Sequence, residues 1–137
     1  MKYGICAIIK NENLFLEEWI KWNLSIGFTN IYLYEDINSK SHKNITDKFE
    51  NVYLYSINDI HENLIEDTSV TKFKGCYRQM VLYNWFKNNN PFNLDWCAFI
   101  DVDEYIRFDD DYNLEKLCNE FNDKGGFYLK WKMYGAN

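Results

Sequence analysis

The order of apolar and polar positions along the chain predicts strands that alternate with helices. Residues 3–9, "YGICAII", form a continuous apolar run of strand length, which is typical of a strand buried on both faces. Between residues 13 and 27 the apolar positions instead recur at helical spacing, at Phe15, Trp19, Trp22 and Ile26. Gly27 is placed to end this helix, and "NIYLYED" then predicts a second strand.

The same alternation continues along the chain. The polar segment "INSKSHKNITDK" predicts a loop with a short helix near 42–49, and "NVYLYSI" predicts a third strand. A long helix is expected from 69 to about 88, where "NNNP" ends it, with its apolar face at Phe73, Tyr77, Met80 and Asn84, flanked by Cys76, Val81, Tyr83 and Trp85. "DWCAFIDVDE" predicts a fourth strand, "NLEKLCNEF" a short helix and "GGFYLKWKMY" a last strand.

Strands that alternate with helices imply right-handed crossover connections. We therefore predict an α/β fold, with a mainly parallel Rossmann-like sheet and helices on both faces. No linker, repeat or low-complexity tract divides the chain, so residues 1–137 are expected to form a single domain. Because no helix follows the last predicted strand, we expect this domain to be part of a longer fold.

Composition and charge exclude two classes of protein. Apolar residues make up 47% of the chain and aromatic residues 19%, whereas disordered chains are poor in both. The net charge is −6, and no block rich in Lys or Arg offsets the acids, which argues against a protein that binds nucleic acid through its phosphates. Any anionic ligand must therefore be met by local positive charge.

The cysteines, the histidines and the first residues carry no catalytic or targeting signal. The four cysteines stand singly in apolar segments, so we expect free thiols in a reducing compartment. The first apolar run is too short for a signal sequence or a membrane span, which favours a cytoplasmic protein without a transmembrane segment. His42 and His61 lie in polar loop sequence with no nucleophile pattern near them, so a catalytic triad is not supported.

Polar side chains gather where the predicted strands end. In open α/β sheets, ligands bind beyond the carboxyl ends of the strands. The residues found there are Lys10, Asn11 and Glu12 after the first strand, Glu35 and Asp36 after the second, and Asp101, Asp103 and Glu104 after the fourth. This edge of the sheet is therefore the predicted site.

Asp101 and Asp103 give the strongest chemical signal at this edge. Residues i and i+2 of an extended chain point the same way, so the two carboxylates are expected on one side and Val102 on the other. Such a pair suits Mg²⁺ or Mn²⁺ whose remaining ligands are water and phosphate oxygens. The alternative is a solvated turn or a helix cap. We favour the metal, because apolar residues flank the acids and neighbouring like charges are costly without a cation.

Two further features have an ordinary explanation as well as a functional one. Asp36 in "EDINS" fits an Asx turn, and it equally fits the acid that binds a nucleoside at the end of a second strand. Lys72, Lys74 and Arg78 give the first half of the long helix a basic surface. That surface is either an ordinary solvated face or one that meets a diphosphate.

Taken together, these segments resemble the glycosyltransferases of the GT-A fold, and most of all their family-two-like and family-ninety-two-like groups. The resemblance rests on three segments in order: "ICAIIKNENLFLEEWIKWNLSIGFTNIYLYEDINS", "KGCYRQMVLYNWF" and "DWCAFIDVDEYIRF". Those families share a strand that runs into K-N-E, an L-x-E-W helix, a strand that ends in Y-(D/E), and a later D-W-x-x-F-I-D-x-D-E. The similarity extends over nearly the whole chain.

The resemblance implies roles for particular residues. The positions that match the nucleotide-sugar-binding positions of these families are Lys10, Asn11, Glu12, Asp36, Lys74, Arg78 and Asp101. Asp101 and Asp103 match the D-x-D motif, in which one Asp approaches the ribose and the other the Mn²⁺ or Mg²⁺ on the diphosphate. The segment "WKMYGAN", residues 131–137, resembles the segment that follows this core in such enzymes.

The resulting hypothesis is a metal-dependent glycosyltransferase domain that uses a UDP- or GDP-sugar. It would transfer the sugar, with inversion, to a hydroxyl of a glycan, lipid or protein acceptor. In such enzymes the acceptor site and the general base come from later sequence, so no catalytic residue is assigned. Two alternatives stay open: a truncated or degenerate module that binds a nucleotide sugar without catalysis, and an aspartate-nucleophile phosphatase, which would want its D-x-D on the first strand.

Overall fold

The computed structural model describes residues 1–60 and 76–133. The elements in these ranges are β1 (Tyr3–Ile9), α1 (Leu16–Ser25), β2 (Asn30–Glu35), α2 (Lys43–Thr46), β3 (Val52–Ser56), a 3-10 turn (Ile57–Asp59), α3 (Cys76–Asn89), β4 (Trp96–Phe99) and α4 (Leu114–Glu120). No helix among them is long and apolar enough to cross a membrane.

The four strands form one parallel sheet in the order β3-β2-β1-β4. β1 lies between β2 and β4, with Cys6 opposite Tyr32 on one side and Phe99 on the other. Nearly every residue of β1 is buried, as its continuous apolar run predicts. The predicted parallel α/β fold is therefore confirmed.

Helices cover both faces of this sheet, as predicted. On one face Ile5 of β1 shares a core with Trp19 of α1 and Leu114 of α4. On the other face the next residue, Cys6, shares a second core with Leu82 of α3. The two layers arise because successive side chains of a strand point to opposite faces.

The end of α1 follows the sequence prediction. Gly27 has a φ of 115°, in the left-handed region that favours glycine. Beyond it, the N–H of Phe28 donates to the carbonyl oxygen of Asn23 at 3.2 Å, which closes the last turn. The chain is thereby directed back toward the start of β2.

The apolar face predicted for the long helix was wrong in the part that the structure describes. Met80 is 61% exposed and Asn84 is also exposed, whereas Leu82 and Phe86 are buried. The buried side is set by packing, because the ring of Phe86 lies 5.8 Å from that of Tyr32 in β2. Phe73 and the start of the predicted helix at 69–75 lie outside the described residues.

Two strand predictions near the end of the chain were also wrong. β4 ends at Phe99 and does not continue to Glu104. Residues 127–133 were predicted as a strand, but they form neither strand nor helix, and Trp131 among them is 78% exposed. A strand needs a neighbour to satisfy its backbone groups, and within the described residues no strand pairs with this segment.

The packing of α3 predicts a large difference between two of its apolar residues. Leu82→Ala opens a cavity in the core below the helix and should lower the free energy of unfolding by about 2–5 kcal/mol. Met80→Ala removes an exposed side chain and should change it by less than about 0.5 kcal/mol. Chemical denaturation of both variants checks this, and equal losses would contradict the observed orientation of α3.

Candidate functional site

The parallel sheet brings three predicted loops to one edge. The loop after β1 carries Lys10 to Glu12, and the residue after β2 is Asp36. The N–H of Asp36 donates to the carbonyl oxygen of Ile9 at 2.8 Å, so the ends of these two strands are tied together. β4 pairs with the other side of β1 and leads to Asp101. The site residues predicted on these loops therefore share the carboxyl edge of the sheet.

Asp36 and Arg78 form a two-pronged ion pair at this edge. Arg78 Nε donates to Asp36 Oδ1 at 2.5 Å, and Arg78 Nη2 donates to Oδ2 at 2.9 Å. The N–H of Ile37 also donates to Asp36 Oδ1, at 2.8 Å. The side chain of Asp36 is only 10% exposed and that of Arg78 is 26% exposed. Planar pairing of this kind is among the stronger hydrogen-bonded contacts in proteins.

The pair shifts the acidity of both groups. Burial opposes ionisation of Asp36, but the hydrogen bonds from Arg78 and from Ile37, with the charges of Arg78 and Lys10, outweigh it and lower its pKa. The bond to Asp36 raises the pKa of Arg78. Asp36 thus bonds to the N–H of the next residue, and not two residues on as in an Asx turn, and it also pairs with the guanidinium of Arg78 on α3. The sequence placed both residues at this edge but did not predict their contact.

Asp101 is held in place from two sides. Gln79 Nε2 donates to Asp101 Oδ1 at 2.7 Å, and the N–H of Asp101 donates to Glu104 Oε2 at 2.8 Å. The N–H of Glu104 in turn donates to the carbonyl oxygen of Asp101 at 3.0 Å. Gln79 was missed by the sequence analysis. Its only signal was its position next to Arg78 on the helix expected to face the site.

The D-x-D segment is a turn rather than an extended strand. Val102 is buried while Asp101 and Asp103 are exposed, so both acids lie outside the core. Two tryptophans of α1 donate hydrogen bonds to the backbone of this segment and of the residues that follow it. Trp19 Nε1 donates to the carbonyl oxygen of Glu104 at 2.9 Å. Trp22 Nε1 donates to the carbonyl oxygen of Ile106, also at 2.9 Å.

Carboxylates from two loops face one another here. Burial raises the pKa of Glu12, and the negative charges of Asp103 and Asp101 raise it further. Within residues 1–60 and 76–133, no three acidic, His or Cys side chains are grouped closely enough to hold a metal ion by themselves. Mg²⁺ on a phosphate needs only one or two protein carboxylates, and Asp101 and Asp103 are the residues that could supply them.

His42 is a site residue whose environment the sequence analysis misjudged. It was placed in a polar loop, but its side chain is fully buried. The N–H of Glu12 donates to His42 Nε2 at 2.9 Å, and His42 Nδ1 lies 2.9 Å from Glu35 Oε2. The imidazole thus connects the loop after β1 to the end of β2. The polar residues around His42 in the sequence gave no sign of this burial.

The loop after β1 is also joined to the loop after β2 by Asn11. Its φ of 54° is left-handed, which Asn tolerates better than most residues. Its N–H donates to Ser39 Oγ at 3.1 Å, and its Oδ1 accepts from the N–H of Lys40 at 2.8 Å. The side chain predicted to face a nucleotide therefore fixes the loop, while Lys10 is exposed. Lys74 and residues 134–137 lie outside the described residues.

Comparison with known proteins supports the fold. No family model and no curated protein matches the chain. The crystal structure of S. aureus TarS 1-349 is similar to it, with a TM-score of 0.52 and 14% sequence identity over 99% of this chain. The chain spans 40% of the TarS chain. At this identity the likeness shows the fold alone, which is a Rossmann-like α/β fold with a parallel sheet.

The Asp36–Arg78 pair predicts a pH-dependent contribution to stability. Because the folded pKa of Asp36 is lowered, its stabilisation is complete above the unfolded pKa of about 3.9 and is lost as the pH falls through the folded value. Asp36→Asn should lower the free energy of unfolding by about 1–3 kcal/mol at pH 7, and by progressively less below about pH 4.

Urea denaturation between pH 2 and pH 7 tests this dependence. Asp123→Asn, which removes an exposed carboxylate, is the matched control and should cost less than about 0.5 kcal/mol at pH 7. A loss for Asp36→Asn that stayed constant down to pH 2 would contradict the assignment.

Proposed function

We propose that the chain is the nucleotide-sugar-binding core of a metal-dependent GT-A glycosyltransferase. One observation carries the proposal: the D-x-D carboxylates, the Lys10–Glu12 loop and the Asp36–Arg78 pair meet at the carboxyl edge of a parallel sheet. Ligands of open α/β sheets bind at this edge. The resemblance of the sequence segments to GT-A glycosyltransferases, together with the Rossmann-like fold, supports a nucleotide-sugar donor as the substrate class.

Asp101 and Asp103 are the proposed metal ligands. Both carboxylates are exposed, and hard oxygen ligands of this kind suit Mg²⁺ or Mn²⁺. Gln79 occupies only Oδ1 of Asp101 in the described contacts, so its amide orients the carboxylate. The metal, when bound, would neutralise the charge of a departing nucleoside diphosphate.

The remaining residues are proposed to bind the rest of the donor. Asp36 follows β2, and Arg78 reaches it from α3. Together they offer a carboxylate acceptor and guanidinium donors suited to the edge of a nucleoside base. Lys10 is an exposed cation at the same edge and would meet the diphosphate, as would Lys74. UDP- and GDP-sugars both satisfy this pattern.

The proposed reaction is an inverting displacement at the anomeric carbon. An acceptor hydroxyl of a glycan, lipid or protein attacks that carbon as the bond to the diphosphate breaks, and a general base takes the hydroxyl proton. No described residue is assigned as this base.

A second candidate is a module that binds the donor without catalysis. The observation that favours it is that the chain corresponds to 40% of the TarS chain. The phosphatase alternative is disfavoured, because such an enzyme would carry its D-x-D after β1, whereas here the motif follows β4. Transfer or hydrolysis of a bound UDP-sugar, measured by release of UDP, distinguishes the enzyme from the binding module.

Calorimetry with UDP or GDP, with and without Mn²⁺, tests donor binding. We expect at least one nucleotide to bind more tightly when Mn²⁺ is present, because Asp101 and Asp103 would hold a cation that offsets the charge of the diphosphate. Equal affinity with and without the metal, or no binding of either nucleotide, would overturn the proposal.

The role of Asp103 predicts a specific loss. Asp103→Asn should weaken the Mn²⁺-dependent binding roughly tenfold or more, since even residues that only support metal ligands have effects of this size. Asp110→Asn, in the exposed loop before α4, is the control and should bind as the wild type does. Equal affinity of the two variants would remove Asp103 from the site.

A further inference from the structure

We propose that His42 is a positioning residue, which holds the loop after β1 in its binding conformation through a hydrogen bond accepted by Nε2. The proposal rests on the proposed function for its ligand but on geometry alone for the contact. His42 touches neither of the D-x-D carboxylates in the described contacts. It would act through the backbone of Glu12.

The hydrogen bonds of His42 fix its protonation and tautomer. The N–H of Glu12 can only donate, so Nε2, at 2.9 Å, must carry a lone pair. Nδ1 lies 2.9 Å from a carboxylate oxygen of Glu35, which can only accept, so Nδ1 carries the proton. The ring is therefore neutral, with a proton on Nδ1 alone. Both nitrogens are used, and the fully buried ring is held in one orientation.

Glu35 anchors this arrangement to the sheet. It is the last residue of β2, and the same Oε2 also accepts the backbone N–H of His42 at 3.0 Å. The carboxylate thus fixes both the backbone and the ring of His42. Hydrogen bonds therefore connect β2, through the carboxylate of Glu35 and the imidazole of His42, to the backbone N–H of Glu12 in the neighbouring loop.

The backbone N–H of Glu12 lies where the loop after β1 turns. Asn11, just before it, has a left-handed φ of 54°, so the chain turns sharply there. Burial of Glu12 and the negative charges of Asp103 and Asp101 raise the pKa of its carboxyl, so its charged form is disfavoured there. The bond to His42 holds Glu12 at this position. Without it, the loop that carries Lys10 would lose one of the contacts that hold it at the carboxyl edge of the sheet, beside those of Asn11.

Two amide substitutions of His42 test the contacts of Nε2 and of Nδ1 separately. In His42→Gln the side-chain oxygen lies near the position of Nε2 and can accept the Glu12 N–H. In His42→Asn the shorter amide lies near Nδ1 and can reach only Glu35. If His42 served only to pair with Glu35, Asn would replace it at least as well as Gln.

The contact itself is tested by NMR on the wild-type protein, free of ligand. We expect the ¹⁵N shifts of His42 to report the tautomer protonated on Nδ1, and a scalar coupling across the hydrogen bond from the Glu12 amide nitrogen to Nε2. A protonated Nε2, or no coupling, would overturn the proposal. This measurement decides the contact even if both variants fail to fold.

The consequence is tested by hydrogen exchange and by binding of UDP with Mn²⁺. His42→Asn should lose exchange protection at the Glu12 amide and bind roughly tenfold more weakly, whereas His42→Gln should restore both. Equal protection and affinity in the two variants would overturn the positioning role. If the wild type binds neither UDP nor GDP, the proposed function fails, and the exchange at Glu12 still decides the role of His42.

Discussion

Parallel pairing around β1 is the constraint on which the rest of the structure depends. β1 is bonded to β2 on one side and to β4 on the other, and all three run in the same direction. Their following loops must therefore leave the sheet at one edge. Acids from these loops meet there, and their mutual repulsion must be offset by other contacts. The polar interactions at the edge are best understood as that compensation.

Helix α3 supplies much of this compensation because of how it lies on the sheet. Leu82 and Phe86 are buried in the aromatic layer and fix its orientation. Arg78 is one turn before Leu82 on the same side, so its guanidinium reaches the end of β2. Gln79, the next residue, reaches Asp101 after β4. Two adjacent residues of one helix thus hold acids that follow two different strands.

The sequence predicted the central strands and the positions of the acids because these have local signals. A strand buried on both faces is a continuous apolar run, and β1 was predicted with its observed bounds. The long helix was predicted with the wrong face because Arg78 and Gln79 begin its buried side, which breaks the apolar period. The burial of His42 depends on Glu12, 30 positions earlier in the chain, and has no local signal.

Contacts within the chain hold most of the proposed site in place. The Asp36 carboxylate is paired, Asp101 is oriented by Gln79, and the loop after β1 is held by Asn11 and His42. Fixing charged groups in advance lowers the conformational cost of binding a ligand. Asp101, Asp103 and Lys10 are exposed at the same edge, which offers two anionic groups to the proposed metal and one cationic group to a diphosphate.

Paramagnetic broadening of amide signals by Mn²⁺, in the presence of UDP, tests most directly the proposal that a cation binds at the D-x-D segment. We expect the broadening to be strongest at residues 101–104 and next strongest at residues 10–12, because both loops lie at the carboxyl edge of the sheet. Strongest broadening at the acidic run of residues 109–111 would contradict it, and so would broadening at 101–104 that spares the loop after β1.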